Sequence, residues 1–318
     1  MALLKIEDLK LDIENSNQNS HILHGVNLLI NKRDRLGLVG ESGSGKTMTM
    51  RTVIQLLPKK TKIISGKVIY QNQNLLQKTE EEMEKIRGRE ISVIFQDATS
   101  ALNPVYPIGK QISDIYLRHK GRDKKKALEE TVNILRRVGF PKPSESVKAF
   151  PHELSGGMCQ RAIIAMALMC SPKLLIADEP TTGLDVTIQN QVIDLILDVI
   201  KGKDVAFVFI SHDIGMVTKA CSKVAVMYAG HIVETCTAQR ILKKPLHPYT
   251  KGLVRCYKTI IGKRMVYIRG SAPELIKTIS GCPFEPRCDV AMDICKRQKP
   301  KSIQVEKEHW VTCHKWNN

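Results

Sequence analysis

Three short motifs in a fixed order constrain the fold of this chain more than any other feature. A glycine-rich loop, GESGSGKT, spans 40–47, the turn LSGGM spans 154–158, and an apolar run ends in the acids Asp178 and Glu179. The first motif has the spacing of a loop whose backbone N–H groups cradle phosphate oxygens at a helix N-terminus. The three motifs together indicate a nucleotide-binding α/β domain, and the middle turn is its distinguishing element.

The distribution of apolar residues predicts alternating strands and helices. Alternation of apolar and polar residues predicts strands over 3–13 and 22–30. Further short strands are predicted at 35–40, 91–96, 174–178, 205–210 and 224–228, and helices at 46–57 and 187–201. Between about 97 and 169 the pattern is helical. Strand–helix alternation predicts a parallel sheet with helices on both faces, here an α/β fold of the P-loop NTPase type with an inserted helical subdomain.

The character of the sequence changes after about Thr250. Five cysteines, four of them between 282 and 313, follow that residue, together with several prolines and many lysines. We therefore predict a nucleotide-binding domain over 1–250, with the helical subdomain at about 97–169, and a small cysteine-rich C-terminal extension over 251–318.

The charge and the absence of long apolar runs limit the class of protein. The chain carries 49 basic and 32 acidic residues, a net charge of +17. This charge fits contact with nucleic acid, contact with an anionic membrane surface, or a basic surface without either role. No stretch approaches the roughly 20 apolar residues that cross a bilayer, and the N-terminus has no signal-peptide core. We expect a cytosolic protein that reaches a membrane only through a partner.

The glycine-rich loop contains residue types suited to binding a triphosphate. Lys46 is expected to reach the β- and γ-phosphates, and the Thr47 hydroxyl to ligate Mg²⁺. The other loop residues expected at the phosphates are Gly40, Glu41, Ser42, Gly43, Ser44 and Gly45. An accidental match in a Gly/Ser-rich turn is the alternative. The predicted strand before the loop and the predicted helix after it favour the binding site.

The acidic end of the strand 174–178 is the candidate for metal binding and catalysis. Asp178 is expected to hold Mg²⁺ through water, and Glu179 to polarise the attacking water. Taken alone, this segment is an ordinary strand followed by an acidic helix cap. Because it follows both other motifs, the catalytic interpretation is favoured.

The motifs together resemble the ATP-binding cassette, the ATPase of ABC transporters. The segments that carry the resemblance are GLVGESGSGKT (37–47), FQDATSALNP (95–104), ELSGGM (153–158), ADEPTTGLDVT (177–187) and HPYTKGL (247–253). They look like the ATP-binding subunits of dipeptide, oligopeptide and nickel importers. The resemblance implies an enzyme that hydrolyses ATP to power import of peptides, or of nickel or metal chelates, through a partner permease.

The resemblance also implies roles for residues outside the glycine-rich loop. Gln96 looks like the glutamine that senses Mg²⁺ and the γ-phosphate, and His212 like the switch histidine at the γ-phosphate. Asp185 resembles the aspartate that communicates across a cassette dimer. The turn residues Ser155, Gly156 and Gly157 are expected to close over ATP held on the loop of another subunit.

Adenine binding departs from the family pattern. Cassettes normally stack the base on an aromatic residue in an early strand, but this chain has no Phe, Tyr or Trp before Tyr70. Ile13, or less favourably His21 or His24, stands where that residue is expected. The resemblance therefore implies an adenine contact at Ile13, weaker than the usual stacking.

The resemblance extends to partners. LSGGM and PTT resemble the first ATPase of an unlike pair, which implies a heterodimer with a second, different ATPase. Two permease subunits and, indirectly, an extracellular solute-binding protein complete the implied assembly at the cytoplasmic face of the membrane, without nucleic acid. The alternatives are a cassette ATPase acting on nucleic acid or ribosomes, which usually has two cassettes or a coiled coil, and an exporter ATPase.

The cysteines of the tail are the second candidate site. Cys282, Cys288, Cys295 and Cys313 resemble the cysteine-rich tail of the same importers, whose thiolates can hold a four-iron four-sulfur cluster. Four thiolates also suit Zn²⁺, and His309 and His314 are competing ligands. The spacings alone leave a third alternative open, four reduced thiols in a small packed tail.

Overall fold

The computed structural model describes residues 1–14, 19–96, 101–183, 185–260, 267–271, 273 and 279–316. The chain divides into two compact units, one formed by Met1–Gln77 with Phe209–Asn318 and the other by Lys78–Val208. In the described part of the chain, no helix combines the length and the apolar character needed to cross a bilayer. The domain boundary at 250/251 and the helical subdomain at 97–169 stay predictions.

Secondary structure among the described residues follows the predicted alternation, with additional strands. The strands are β1 (Ala2–Ile13), β2 (Ser20–Asn31), β3 (Arg35–Val39), β4 (Thr61–Tyr70), β5 (Gln73–Asn74), β6 (Ile91–Ile94), β7 (Leu174–Asp178), β8 (Ala206–Ser211), β9 (Lys223–Tyr228), β10 (His231–Thr237), β11 (Ser302–Glu306) and β12 (His309–Thr312). The helices are α1 (Lys46–Val53), α2 (Glu80–Ile86), α3 (Ile108–His119), α4 (Lys124–Arg137), α5 (Pro143–Ser146), α6 (Gly156–Leu168), α7 (Val186–Ile200), α8 (Ile214–Ala220), α9 (Ala238–Lys243), α10 (Pro248–Ile260) and α11 (Asp293–Arg297).

The first unit contains an antiparallel sheet in the order β2-β1-β4-β5. The predicted strands 3–13 and 22–30 are β1 and β2, but they pair antiparallel with each other and do not join a parallel sheet. β4 pairs along the other side of β1. Gly66 in β4 has a φ of +111°, and a Cβ there would lie 2.6 Å from the Cα of Leu9. A side chain at position 66 would therefore separate the two strands.

A second group of strands in the first unit has the order β11-β12-β10-β9-β3. β3 and β9 are parallel, whereas β10 is antiparallel to both β9 and β12. The predicted parallel pairing is therefore present in part, and antiparallel strands are added where the last strands return as hairpins. The hairpin β11–β12 brings the C-terminal segment next to β10.

A buried carboxylate ties this C-terminal hairpin to the rest of the unit. Glu234 in β10 is 1% exposed, and its two oxygens accept hydrogen bonds from the backbone N–H groups of Leu246 and His247, each at 2.8 Å. His309 Nε2 of β12 lies 2.8 Å from Glu234 Oε1. These contacts satisfy the charge of a group that would otherwise be strongly destabilising inside the protein.

The second unit combines strands in the order β8-β7-β6 with helices. β6 and β7 are parallel, with Ile91 opposite Leu174 and Ile94 opposite Ala177. β8 contains the boundary between the units. Helix α6 packs against α3 and α4. All residues of β7 are buried, as expected for a strand in the interior of an α/β fold.

Two elements end earlier than predicted. Helix α1 ends at Val53 rather than at 57, because Gln55 adopts a left-handed backbone with a φ of +51°. This conformation stops a helix before Pro58 is reached. Strand β6 ends at Ile94, so that Gln96 lies in the following loop.

Two stacked histidines make the first unit sensitive to acid. The rings of His24 and His231 lie 4.7 Å apart with an interplanar angle of 5°. Burial, together with the nearby charges, lowers the pKa of His24 to about 4 and that of His231 to about 3. The unfolded chain, with a His pKa near 6.5, therefore takes up these protons first. The stabilising contribution is complete above about pH 6.5 and is lost as the pH falls toward 4.

We expect the free energy of unfolding to fall by up to about 1.4 kcal/mol per pH unit for each of these histidines below pH 6.5. His231→Phe keeps a ring against His24 and removes one titrating group, so it should reduce this slope by about one proton. Urea unfolding between pH 7 and pH 5 measures the slope. His152→Phe, at an exposed position, is the control, and an equal slope in both variants would contradict the assignment.

Candidate functional site

The glycine-rich loop of the first unit connects β3 to α1 and surrounds the Lys46 side chain. Lys46 is buried, and its Nζ donates hydrogen bonds to Gly40 O at 2.8 Å, Glu41 O at 2.9 Å and Ser44 Oγ at 3.4 Å. Thr47 is the second residue of α1. A buried ammonium group ringed by loop oxygens, at the N-terminus of a helix, is the arrangement expected of a phosphate-binding loop.

The loop also packs closely against neighbouring residues. A Cβ on Gly40 would lie 2.1 Å from Met227 O, and one on Gly45, whose φ is +100°, would lie 2.7 Å from Leu23 Cδ2. The backbone N–H of Gly230 donates to Ser44 O at 2.9 Å. Glycine is therefore required at Gly40 by contact and at Gly45 by both contact and backbone conformation. Ser42 and Gly43 complete the loop, and Gly43 has a φ of +76°.

The acidic pair lies in the second unit at the end of β7. Asp178 is the last strand residue and is buried. Glu179 follows with a φ of +46°, an unusual backbone for a non-glycine residue, and its Oε2 accepts a hydrogen bond from Thr182 Oγ1 at 3.1 Å. The left-handed backbone turns the chain sharply after the strand. A strained residue with a fixed carboxylate is common at functional sites.

The LSGGM turn forms the exposed N-terminus of helix α6 in the second unit. Ser155 is the N-cap, and its Oγ accepts a hydrogen bond from the backbone N–H of Met158 at 3.3 Å. A Cβ on Gly156 or Gly157 would meet no atom within 4 Å. The space in front of this 13-residue helix is therefore open to a negatively charged group, which the helix dipole stabilises.

Three further predicted residues lie in loops after strands. Gln96 follows β6 and is exposed, and the residues that follow it, 97–100, lie outside the described part. His212 follows β8 and is exposed. Asp185 caps helix α7, where its Oδ1 accepts from Ile188 N–H at 3.0 Å. Gln96, Asp185, the acidic pair and the LSGGM turn belong to the second unit, whereas His212 and the glycine-rich loop belong to the first.

The predicted adenine contact lies at the end of an interior strand of the antiparallel sheet. Ile13 is the last residue of β1 and is half-buried. Of its alternatives, His21 contacts Asp12 at 2.9 Å, and His24 stacks on His231. Both histidine rings therefore have protein partners. This leaves Ile13 as the proposed contact of the three.

The tail cysteines come together in space but do not have the spacing of metal ligands. Cys282, Cys288, Cys295 and Cys313 line one small cavity, and Cys282 N–H donates to Cys295 O at 2.7 Å. The pKa of Cys282 is raised to about 11, mainly by burial and further by the neighbouring cysteines. Burial likewise raises the pKa of Cys288 and Cys313. The structure thus shows four packed, partly buried thiols.

The prediction of an iron–sulfur protein is therefore wrong. Among the described residues, the group of side chains with metal-ligand spacing is Glu234, Cys236 and His309, which includes none of the four tail cysteines. The zinc alternative has no support from this spacing either. Hydrogen bonds account for the position of the Glu234 carboxylate in this group. The pKa of Cys236 is raised to about 12, first by burial and then by the charge of Glu234.

Sequence reasoning missed two residues that contact the glycine-rich loop from the C-terminal half of the chain. The backbone N–H of Glu41 donates to the hydroxyl of Tyr249 in α10 at 2.8 Å. The Glu41 carboxylate pairs with Arg287. Tyr249 belongs to the HPYT segment and Arg287 immediately precedes Cys288, but nothing in the local sequence relates either residue to the loop.

Comparison with known proteins identifies two regions of the chain. A family model described as ABC transporter matches residues 23–182. A second, described as oligopeptide/dipeptide transporter, C-terminal region, matches residues 233–295. The first covers the glycine-rich loop, the LSGGM turn and the acidic pair, and the second covers three of the four tail cysteines.

Relatives match almost the whole chain. The oligopeptide transport ATP-binding protein OppD of Bacillus subtilis (strain 168) is 41% identical over 313 residues, 97% of this chain and 87% of the relative. The dipeptide transport ATP-binding protein DppD of the same organism is 40% identical over 314 residues, 98% of this chain and 94% of the relative. These names describe ATP-binding transport proteins.

Solved structures match in fold. The structure of cbiO1 from Clostridium perfringens, part of an ABC transporter complex, has a TM-score of 0.67 and 23% identity, covering 82% of this chain and 95% of that one. The ATP-binding cassette MJ0796 bound to ADP and Pi has a TM-score of 0.66 and 22% identity, covering 74% and 98%. From the family model and the whole-chain relatives, the chain belongs to the ABC transporter family, as an ATPase of the branch that contains the ATP-binding subunits of peptide importers.

Proposed function

We propose that this ATPase powers the import of peptides, working at the cytoplasmic face of the membrane beneath two permease subunits that receive cargo from an extracellular binding protein. The observation that carries this proposal is similarity over the whole chain, including the C-terminal region, to relatives named for dipeptide and oligopeptide transport. Import of nickel or metal chelates has no comparable support. The same similarity favours transport over action on nucleic acid.

In this proposal the glycine-rich loop binds the triphosphate of ATP. Lys46 exchanges its loop oxygens for β- and γ-phosphate oxygens, and backbone N–H groups of the glycine-rich loop supply further donors. The close contacts at Gly40, with backbone, and at Gly45, with side chains, support it, since they fix the loop before nucleotide arrives. Ile13 lies against the base, where an aliphatic side chain gives weaker stacking than an aromatic ring.

Mg²⁺ and hydrolysis involve the acidic pair. Thr47, Asp178 and Gln96 are the proposed holders of Mg²⁺, an ion that neutralises charge on the β- and γ-phosphates. Glu179 orients and polarises the attacking water, and the hydrogen bond from Thr182 helps to fix its carboxylate. His212 contacts the γ-phosphate. These assignments use positioning and charge stabilisation, which dominate catalysis of phosphoryl transfer.

A second, different ATPase subunit completes the proposed working unit. Ser155, Gly156 and Gly157 present an open helix N-terminus that suits the γ-phosphate held by the other subunit, and Asp185 communicates across the same interface. The LSGGM and PTT forms support an unlike partner, because they resemble one member of a heterodimeric pair. ATP bound between the subunits closes the pair, and hydrolysis removes that bridge.

Replacement of the proposed catalytic carboxylate should separate binding from turnover. Glu179→Gln keeps the size and the Thr182 contact but cannot polarise water, so we expect MgATP affinity within about threefold of wild type and a kcat at least about 100-fold lower. Equilibrium binding and phosphate release measure the two. Glu129→Gln, on the exposed side of α4, is the control. Near-normal turnover by Glu179→Gln would refute this role.

The transport proposal is tested with the complete assembly in lipid vesicles. We expect a pool of short peptides with the binding protein to raise ATP hydrolysis several-fold and to be taken up, and Lys46→Ala to abolish both. The isolated chain should be mainly monomeric with weak activity. Stimulation of ATP hydrolysis by nickel chelates but not by peptides would refute the proposal that peptides are the cargo. Cooperative turnover by the isolated chain would refute the proposal of a different partner ATPase.

A further inference from the structure

The tail residue Arg287 makes a two-point ion pair with the glycine-rich loop. It lies in the 3₁₀ turn Glu285–Arg287, directly before Cys288. Its Nη1 donates to Glu41 Oε2 at 2.8 Å and its Nη2 to Glu41 Oε1 at 3.0 Å. The Arg287 side chain is 6% exposed and that of Glu41 is 30% exposed. Paired, parallel hydrogen bonds of this kind fix orientation as well as charge.

The guanidinium group is held from several sides. Its Nε donates to Arg269 O at 2.7 Å, and its Nη1 also lies 3.3 Å from the Tyr228 hydroxyl. Its central carbon lies 5.7 Å from the ring centre of Tyr228 and 5.9 Å from that of Phe284. Arg287 is therefore a fixed group, unlike a surface arginine that samples many rotamers.

Glu41 is fixed at three points. Its N–H donates to Tyr249 Oη at 2.8 Å, its carbonyl oxygen accepts from Lys46 Nζ at 2.9 Å, and its carboxylate meets Arg287. Two of these three partners come from the C-terminal part of the chain. The position of the second residue of the phosphate-binding loop thus depends on α10 and on the cysteine-bearing tail.

The charge of Glu41 creates a specific need for Arg287. A carboxylate within a loop that binds a triphosphate repels the ligand, and the repulsion is stronger where water is partly excluded. The guanidinium group neutralises this charge and restrains the backbone that carries it. Without Arg287, the loop would keep an uncompensated negative charge next to the phosphates.

We propose that Arg287 is a positioning residue for nucleotide binding, through which the C-terminal tail fixes and neutralises Glu41 of the phosphate-binding loop. This inference rests on the proposed use of that loop for ATP. It gives the cysteine-bearing segment a role in the ATPase that does not involve a metal. The role is exerted on binding, because Arg287 contacts the loop that is assigned to the phosphates.

The experiment measures MgATP affinity of the full chain in the Glu179→Gln background, and kcat without that change. We expect Arg287→Ala to weaken affinity roughly tenfold, equivalent to about 1.4 kcal/mol, with a smaller change in kcat. Arg287→Lys, which keeps the charge but not the two-point geometry, should lie in between. Arg297→Ala, at an exposed position on α11 of the same tail, is the matched control and should behave as wild type.

A double-mutant cycle with Glu41→Gln tests the pair itself. In the Gln background, Arg287→Ala should weaken affinity by less than about threefold, because the uncompensated carboxylate is gone and the two effects are coupled. Additive effects, or an Arg287→Ala affinity equal to that of Arg297→Ala, would overturn the proposal. If Arg287→Ala does not fold, the MgATP affinities of Arg287→Lys and Glu41→Gln take its place in the test. An Arg287→Lys affinity equal to that of wild type would then overturn the proposal. Failure of the wild-type chain to bind MgATP would instead overturn the proposed function.

Discussion

The buried ammonium group of Lys46 is the interaction on which the nucleotide site depends. A charge removed from water has to be matched by nearby oxygens, and Gly40 O, Glu41 O and Ser44 Oγ of the glycine-rich loop are acceptors for this group. The loop and the lysine therefore hold each other in place. Glu41 O is one of these acceptors. A displacement of Glu41 by its other partners in the first unit would therefore also displace an oxygen that contacts Lys46. Helix α1 and strand β3 supply the rigid elements on either side.

Local patterns predicted the elements that carry the motifs and failed for those defined by distant pairing. The run Leu174–Asp178 is entirely apolar until its last residue, and it is observed with the predicted bounds. β4 and β10 were not predicted, since one contains a glycine that interrupts its pattern and the other follows a tight turn after β9. Whether a strand is parallel or antiparallel is determined by its partner, and no partner is visible in a local pattern.

The candidate site shows the same division. The glycine-rich loop, the LSGGM turn and the acidic pair have spacings that follow from backbone geometry, so their local shapes could be predicted. The contact between Glu41 and Arg287 joins residues 246 positions apart, and no rule of spacing relates them. The tail cysteines, in contrast, led to a wrong prediction of an iron–sulfur protein. Their clustering in sequence was real, but they are not among the described side chains that lie at metal-ligand spacing.

The buried carboxylate of Glu234 makes the C-terminal hairpin difficult to remove from the fold. Its oxygens join β10, the segment at Leu246 and His247, and His309 of β12. A gene shortened before His309 would still encode every nucleotide motif, yet its product would bury an acid that had lost one partner and would expose the edge of β10. Loss of the hairpin would therefore destabilise the first unit unless Glu234 were replaced at the same time.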